Sequence, residues 1–102
     1  MDLSQSQISA IKEWALSTPE IAEVKLFGSR ARGDAKPYSD VDLAIVIFGT
    51  EGDQRGEYAF ERANWEAQLS LKLWLRADIE LYIDESISRS CDERSEVLFS
   101  RR

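Results

Sequence analysis

The chain has 102 residues, of which 43% are hydrophobic and 31% charged, and its formal net charge is −6. This composition predicts one folded domain spanning residues 1–102 rather than a disordered segment. The negative charge argues against stable direct binding of nucleic acid, because an acidic surface repels a phosphate backbone. The chain lacks histidine and has one cysteine, Cys91, which excludes an intrachain disulfide, Cys/His zinc sites and histidine acid–base catalysis.

Nothing in the sequence indicates a membrane segment. The N-terminus is polar, and the longest apolar run, 41–48, carries Asp42 and is too short to span a bilayer. We therefore expect a cytoplasmic protein.

The first elements are a helix and a short strand. Ser4, followed three residues later by Gln7, is typical of a capping box and predicts a helix from Ser4 to about Leu16. Residues 24–27 predict a strand, and residues 29–39 a polar loop.

The clearest strand is residues 40–48. Apolar residues alternate along one face, and Asp40 and Asp42 share the other. Period two places the two carboxylates roughly 6–7 Å apart along the strand.

The second half of the chain predicts a loop over 49–56, a helix over 57–75, a strand over 77–83 and a last helix over about 86–96, before an apolar end at 97–99. The helix over 57–75 is apolar on more than one side, which indicates burial against a sheet, a partner, or both. One apolar stripe along this helix consists of Phe60, Ala63, Ala67, Leu71 and Trp74. A second set, Trp65, Leu69 and Leu73, widens the apolar surface. Strands alternating with helices predict an α/β (α+β) fold, a small mixed sheet with helices on one face.

Three features carry candidate chemistry. Gly28–Gly33 follows a strand, and the Gly28 backbone and the Ser29 amide and hydroxyl can approach a phosphate, although the lysine of a Walker A loop is missing. Asp40 and Asp42 offer the oxygen ligands that Mg²⁺ prefers. A third carboxylate lies on the strand 77–83, as either Glu80 or Asp78, and periodicity does not choose between them. Each feature alone is weak, but together they are typical of metal-dependent phosphoryl transfer.

The segments Leu26–Gly33 (LFGSRARG) and Tyr38–Leu43 (YSDVDL) closely resemble the DNA polymerase beta-like nucleotidyltransferase superfamily. Within it, the chain is most similar to the minimal nucleotidyltransferase (MNT) domains of MntA-like antitoxins. The resemblance covers almost the whole chain.

The resemblance implies a role for each matching residue. Gly28 and Ser29 match the pair that holds the nucleotide phosphates, and Asp40 and Asp42 match the metal-binding pair. Glu80, between apolar neighbours, fits the third family carboxylate best, with Asp78 as second choice, although close relatives usually have Asp there. In addition, Arg30 and Arg32 are candidates for neutralising the triphosphate.

The implied function is Mg²⁺-dependent nucleotidyl transfer, with two ions and ATP as donor. Because 102 residues leave no room for an acceptor-binding domain, we expect a partner protein to supply the acceptor. The resemblance implies that this partner is a helical HEPN-like protein and that AMP passes to one of its hydroxyl groups. Two alternatives remain open, a catalytically weak module that neutralises its partner by contact and a homodimeric enzyme acting on a small molecule such as an antibiotic. The chain can therefore form a homo- or hetero-oligomer.

Overall fold

The computed structural model describes residues 1–82 and 95–101. The predicted helix over 86–96 falls almost wholly outside these residues. The elements of the described part are, in chain order, α1 (Gln5–Leu16), β1 (Ile21–Phe27), α2 (Gly28–Arg32), β2 (Val41–Ile47), α3 (Glu51–Leu73), β3 (Ala77–Leu81) and β4 (Glu96–Ser100).

The strands form one mixed sheet in the order β3-β2-β1-β4. β1 pairs antiparallel with β2 and with β4, whereas β2 and β3 run parallel. The mixed sheet with helices confirms the predicted fold class. β4 was not predicted as a strand, since an apolar run as short as Val97–Phe99 shows too little alternation to identify one.

The hydrophobic core lies between the sheet and the helices α1 and α3. The rings of Trp14 on α1 and Trp65 on α3 meet edge to face, with their centroids 6.1 Å apart. The buried core residues of the helices and the sheet are Ile11, Trp14, Ala15, Trp65, Leu69, Leu73, Ile21, Val24, Leu26, Val41, Leu43, Ile45, Ile47, Ala77, Ile79 and Leu98. The strand alternation therefore turns one set of side chains toward the helices and leaves Asp42 and Asp78 on the other face of the sheet.

Capping fixes where both long helices begin. The Ser4–Gln7 capping box starts α1, as predicted. A second capping box, Thr50 with Asp53, starts α3 at Glu51, six residues before the predicted start. The predicted loop over 49–56 was wrong there, because Gly52 and Gly56 indicated a break that the cap and the packing of the helix override.

The predicted loop 29–39 was also partly wrong. Its first residues form the short helix α2, which ends at Gly33 in the left-handed conformation, with φ 84°. A single helical turn is too short to give an apolar period, so the sequence pattern could not reveal it. β1 likewise begins at Ile21, three residues earlier than predicted.

α3 runs beside the free edge of β3 and satisfies its outward backbone groups. Tyr58 donates from its hydroxyl to the Ile79 carbonyl at 2.8 Å, and Glu66 accepts from the Ile79 amide at 2.8 Å. The Ser70 hydroxyl accepts from the Ala77 amide at 3.0 Å. These contacts close an edge that could otherwise pair with another chain.

The outer side of α3 faces solvent. Phe60, Leu71 and Trp74 are 82%, 80% and 91% exposed, whereas Trp65, Leu69 and Leu73 form the buried side.

Among the described residues, no helix has the length and apolar character needed to cross a bilayer.

Candidate active site

Gly28 and Asp42 touch where β1 ends and β2 begins. Asp42 is the register partner of Phe27, so the turn after β1 passes directly over its side chain. Gly28 has φ 75°, and a Cβ atom at this position would overlap Asp42 Oδ2 and lie 3.1 Å from Asp42 Cγ. Glycine is thus required at 28 both by the backbone and by the carboxylate. Ser29, half-buried, follows it in the first turn of α2.

Asp42 and Asp78 lie side by side on neighbouring parallel strands. The two residues are register partners in the β2–β3 ladder, and partners on adjacent strands are about 4.8 Å apart. The pKa of Asp42 is raised above its ordinary value of 3.8, first by burial and then by the negative charges of Asp78 and Asp40. Ionisation of Asp42 in the metal-free domain is therefore less favourable than that of a free aspartate.

Asp40 and Arg32 complete the surroundings of Asp42. Asp40 is exposed and precedes β2, rather than lying within it as predicted. Arg32 is also exposed, pairs with Asp34 at 3.3 Å, and its positive charge lowers the pKa of Asp42. Arg32 is thus close enough to act on this carboxylate electrostatically.

Glu80 sits further along β3 than Asp78. Its register partner is Ala44, two residues beyond Asp42, which corresponds to roughly 6–7 Å along the strand. Both candidates for the third carboxylate point to the face that carries Asp42. Of the two, Asp78 is the direct neighbour of Asp42.

Arg62 on α3 holds both candidate carboxylates. Its Nη2 atom lies 3.2 Å from Asp78 Oδ1 and 3.9 Å from Glu80 Oε1, and its Nε atom lies 3.3 Å from Glu66 Oε2. Its guanidinium carbon lies 5.5 Å from the centre of the Tyr58 ring. Burial and the charge of Glu80 raise the pKa of Tyr58 to about 12, so its hydroxyl remains a donor at neutral pH. Arg62 could not be predicted from the sequence, because its position 16 residues before Asp78 gives no local signal.

The side chain of Arg30 is bound to the main chain. Its side chain is buried and donates to main-chain carbonyls of Asp2, Pro37 and Ser39, at 2.8, 3.1 and 2.8 Å, the last two from the same nitrogen. Arg30 thereby ties the loop before β2 to the N-terminal segment. The predicted nucleotide contact of Arg30 stays a prediction, and the contacts observed give this side chain a structural role that positions the loop leading to Asp40.

The family follows from the sequence as a whole. The model of the nucleotidyltransferase domain family matches residues 8–102. The chain belongs to this family. A search of curated proteins gives no match for this nucleotidyltransferase domain.

Solved structures share the fold. A toxin–antitoxin complex with AMP-PNP matches with a TM-score of 0.73 and 17% identity, covering 93% of this chain and 74% of that one. A complex of tri-AMPylated Shewanella oneidensis HEPN toxin with an MNT antitoxin matches with a TM-score of 0.70 and 17% identity, covering 97% of this chain and 74% of that one. A candidate nucleotidyltransferase from Sulfolobus solfataricus matches with a TM-score of 0.56 and 24% identity, covering 99% of this chain and 93% of that one. At these identities the matches show the fold of the nucleotidyltransferase domain.

The donor chemistry of the site fits a divalent cation. Asp40, Asp42 and Asp78 supply hard oxygen donors whose mutual repulsion a cation would relieve. Within residues 1–82 and 95–101, no three acidic side chains stand as a ready-made metal site. In the metal-free domain, the positive charge beside Asp78 is that of Arg62.

Proposed function

We propose that this domain transfers AMP from ATP, with Mg²⁺, to a hydroxyl group on a helical HEPN-type partner protein, and so acts as the antitoxin of a toxin–antitoxin pair. The observation that carries the proposal is the position of Asp42, between Asp40 and its strand neighbour Asp78 and directly beneath Gly28. The matched complexes, which include an AMPylated HEPN toxin with its MNT antitoxin, support the choice of donor and partner.

The nucleotide is placed by the turn after β1. Because Gly28 has no side chain, the backbone can bring phosphate oxygens close to Asp42. The Ser29 hydroxyl and the amides of this turn donate to the phosphates. Arg32, exposed beside Asp42, neutralises part of the triphosphate charge.

The carboxylates hold the cation and orient the acceptor. Asp40 and Asp42 are the metal-binding pair, and we assign the third carboxylate to Asp78 rather than Glu80 because Asp78 is the neighbour of Asp42. A bound divalent cation would neutralise charge on the phosphates and on the departing pyrophosphate. Asp78 accepts a hydrogen bond from the acceptor hydroxyl and aims its oxygen at the α-phosphorus. As the new P–O bond forms, the bond to the β-phosphate breaks and the hydroxyl proton passes to the carboxylate.

The deciding experiment combines the purified domain with its helical partner, ATP and Mg²⁺, followed by intact mass spectrometry. We expect the partner to gain AMP units with the wild type and none with Asp42→Asn. The matched control is Asp34→Asn, which removes an exposed aspartate that pairs with Arg32, and it should retain transfer. An unmodified partner under the wild-type conditions contradicts the proposal.

A second function is favoured by the Arg62 contacts. Because Arg62 pairs with Asp78 and Glu80, these carboxylates have a counter-charge without a cation. This favours, as the alternative, a catalytically weak domain that neutralises its partner by contact. Inhibition of the partner that persists in Asp42→Asn and without ATP would favour this function. Loss of inhibition in both conditions would exclude it.

A further inference from the structure

The outward side of α3 is an uncharged apolar face, although it is turned to solvent. At 100° per residue, the side chains within about 60° of Ala67 point directly away from the core. Between Gly56 and Trp74, the exposed residues of this outer face are Gly56, Phe60, Ala63, Asn64, Ala67, Leu71 and Trp74. Ser70, at the limit of this range, is half-buried and accepts from the Ala77 amide. Surface helices normally carry charges on this side, so the outer face has the character of an interface.

Trp74 adds a conformational observation to the exposed area. It ends α3 in the left-handed conformation, with φ 59°, and its side chain is 91% exposed. Glycine or asparagine is usual at such a position, and another residue costs about 1 kcal/mol or more. The chain thus carries a strained, solvated indole at the end of the outer face.

The exposed area of the outer face approaches what a dimer needs. A fully exposed aromatic side chain offers about 150–250 Å², so Phe60, Leu71 and Trp74 together present roughly 500 Å². The small residues between them bring the outer face toward the ~800 Å² that each partner contributes to a standard interface. An apolar patch of this size is at the upper end for a monomer.

The spacing of the outer face is symmetric about Ala67. Phe60 and Trp74 lie seven residues to either side of it, and Ala63 and Leu71 lie four residues to either side. In an antiparallel pair of α3 helices related by a two-fold axis at Ala67, each aromatic ring meets the other aromatic ring of the second copy. Each Leu71 then fits over an Ala63, and small side chains meet at the axis.

The charged groups of α3 agree with this pairing. The flanking cations Arg62 and Lys72 lie about 140° around the helix from Ala67 and so stay clear of each other. No like charges face one another across the two-fold axis along α3, all of which the structure describes.

We propose that the occupant of the outer face is a second copy of this chain, bound through antiparallel α3 helices with Ala67 on the two-fold axis. This homodimer does not depend on the catalytic proposal. The antiparallel arrangement leaves the Gly28–Asp42 turn, on the other face of the sheet, outside the interface.

The test introduces charged side chains at Ala67, on the proposed two-fold axis. Sedimentation velocity of the wild type across a wide concentration range should show a monomer–dimer equilibrium. Ala67→Glu alone and Ala67→Lys alone should each weaken dimerisation about tenfold or more, since like charges then meet at the axis, and each loss of 1.4 kcal/mol is one factor of ten. An equimolar mixture of the two variants should restore the dimer. Lys72→Glu, on the flank of the same helix, is the matched control and should dimerise as the wild type does.

Trp74→Gly separates association from folding. It removes the indole but suits the left-handed conformation, so the variant should be at least as stable as the wild type toward urea under monomeric conditions and yet dimerise more weakly. A wild type that is monomeric at every concentration would overturn the proposal. Dimers that survive both Ala67 variants, or an outer face that becomes protected only by the helical partner protein, would overturn it as well.

Discussion

The core side and the acidic side of the same strands follow opposite physical rules. On the core side of β2, Leu43 and Ile45 are fully buried against apolar neighbours, which stabilises the fold. On the other side, Asp42 is half-buried beside Asp78, and its pKa is raised by burial and by like charge. Strands that served stability alone would not place two acids in register. The comparison therefore separates the part of the sheet that holds the fold from the part that we propose binds a cation.

Truncating the core should have the largest effect on folding. Leu43→Ala removes a side chain with no exposed surface and should lower the free energy of unfolding by about 2–5 kcal/mol. Urea denaturation measures this change. Leu71→Ala is the matched control, because Leu71 is 80% exposed, and at monomeric concentration it should change stability by less than about 0.5 kcal/mol. A loss in Leu71→Ala as large as that in Leu43→Ala would mean that Leu71 does not lie on the solvent-facing side of α3.

Asp42→Asn should lower AMP transfer but raise the stability of the metal-free domain. AMP transfer should fall by about 100-fold or more, since altering even the outer groups around a metal costs 10–100-fold. Without metal, however, the variant should be more stable than the wild type at neutral pH. The folded pKa of Asp42 is raised, so its ionisation costs stability as pH rises through 3.8 to the folded pKa, and this cost persists above it.

Thermal melts from acid to neutral pH test the sign. The stability difference between Asp42→Asn and the wild type should be absent below about pH 3.8 and present at neutral pH. Adding Mg²⁺ with ATP should stabilise the wild type and leave the variant unchanged. A variant that is less stable at neutral pH without metal would show that the carboxylates are not in electrostatic conflict.

Gly28→Ala tests the contact between the turn and Asp42. The new Cβ atom would overlap Asp42 Oδ2, so the carboxylate must move and AMP transfer should fall about tenfold or more. Gly33→Ala is the control. Gly33 has a similar φ of 84°, but a Cβ atom added there would have no neighbouring atom within 4 Å. Both variants carry the same backbone strain, of about 1–3 kcal/mol, and only Gly28→Ala should also lose transfer. Equal activity in both would remove Gly28 from the site.

Arg62→Gln should give the smallest change in stability. The Arg62 ion pairs are partly exposed, so their loss should cost less than about 1 kcal/mol in urea denaturation. Removing this charge should lower the Mg²⁺ concentration needed for half-maximal binding, because Asp78 and Glu80 lose their cation. Arg55→Gln, which removes an exposed pair with Glu51, should leave Mg²⁺ binding unchanged. Weaker Mg²⁺ binding in Arg62→Gln would show that Arg62 supports the site instead of competing for it.

Local patterns predicted the parts of the fold that they physically determine. The capping box at Ser4 and the alternation along β2 identified α1 and β2 to within a residue or two. The start of α3 escaped prediction because Gly52 and Gly56 suggested a loop, whereas the Thr50 cap and the contacts beside β3 decide the helix. β4 pairs with β1 some seventy residues earlier in the chain, and no local pattern specifies that pairing.

The parts of the candidate site that are contiguous in the sequence could be predicted. The Gly28–Ser29 turn and the Asp40–Asp42 pair are short motifs with a physical meaning of their own. The third carboxylate depends on the register between two parallel strands, which alternation alone cannot give, and the register makes Asp78 the neighbour of Asp42. Arg62 reaches these acids from a different element, so only the folded chain brings it to them.

Calorimetric titration of ATP into the purified domain, with Mg²⁺ and then with EDTA, tests the cation-dependent site most directly. Binding should occur with Mg²⁺ in the wild type and disappear both in EDTA and in Asp42→Asn. Equal uptake of ATP by the wild type and by Asp42→Asn, or uptake that persists in EDTA, would contradict the assignment of these carboxylates as the site that holds the cation and the nucleotide.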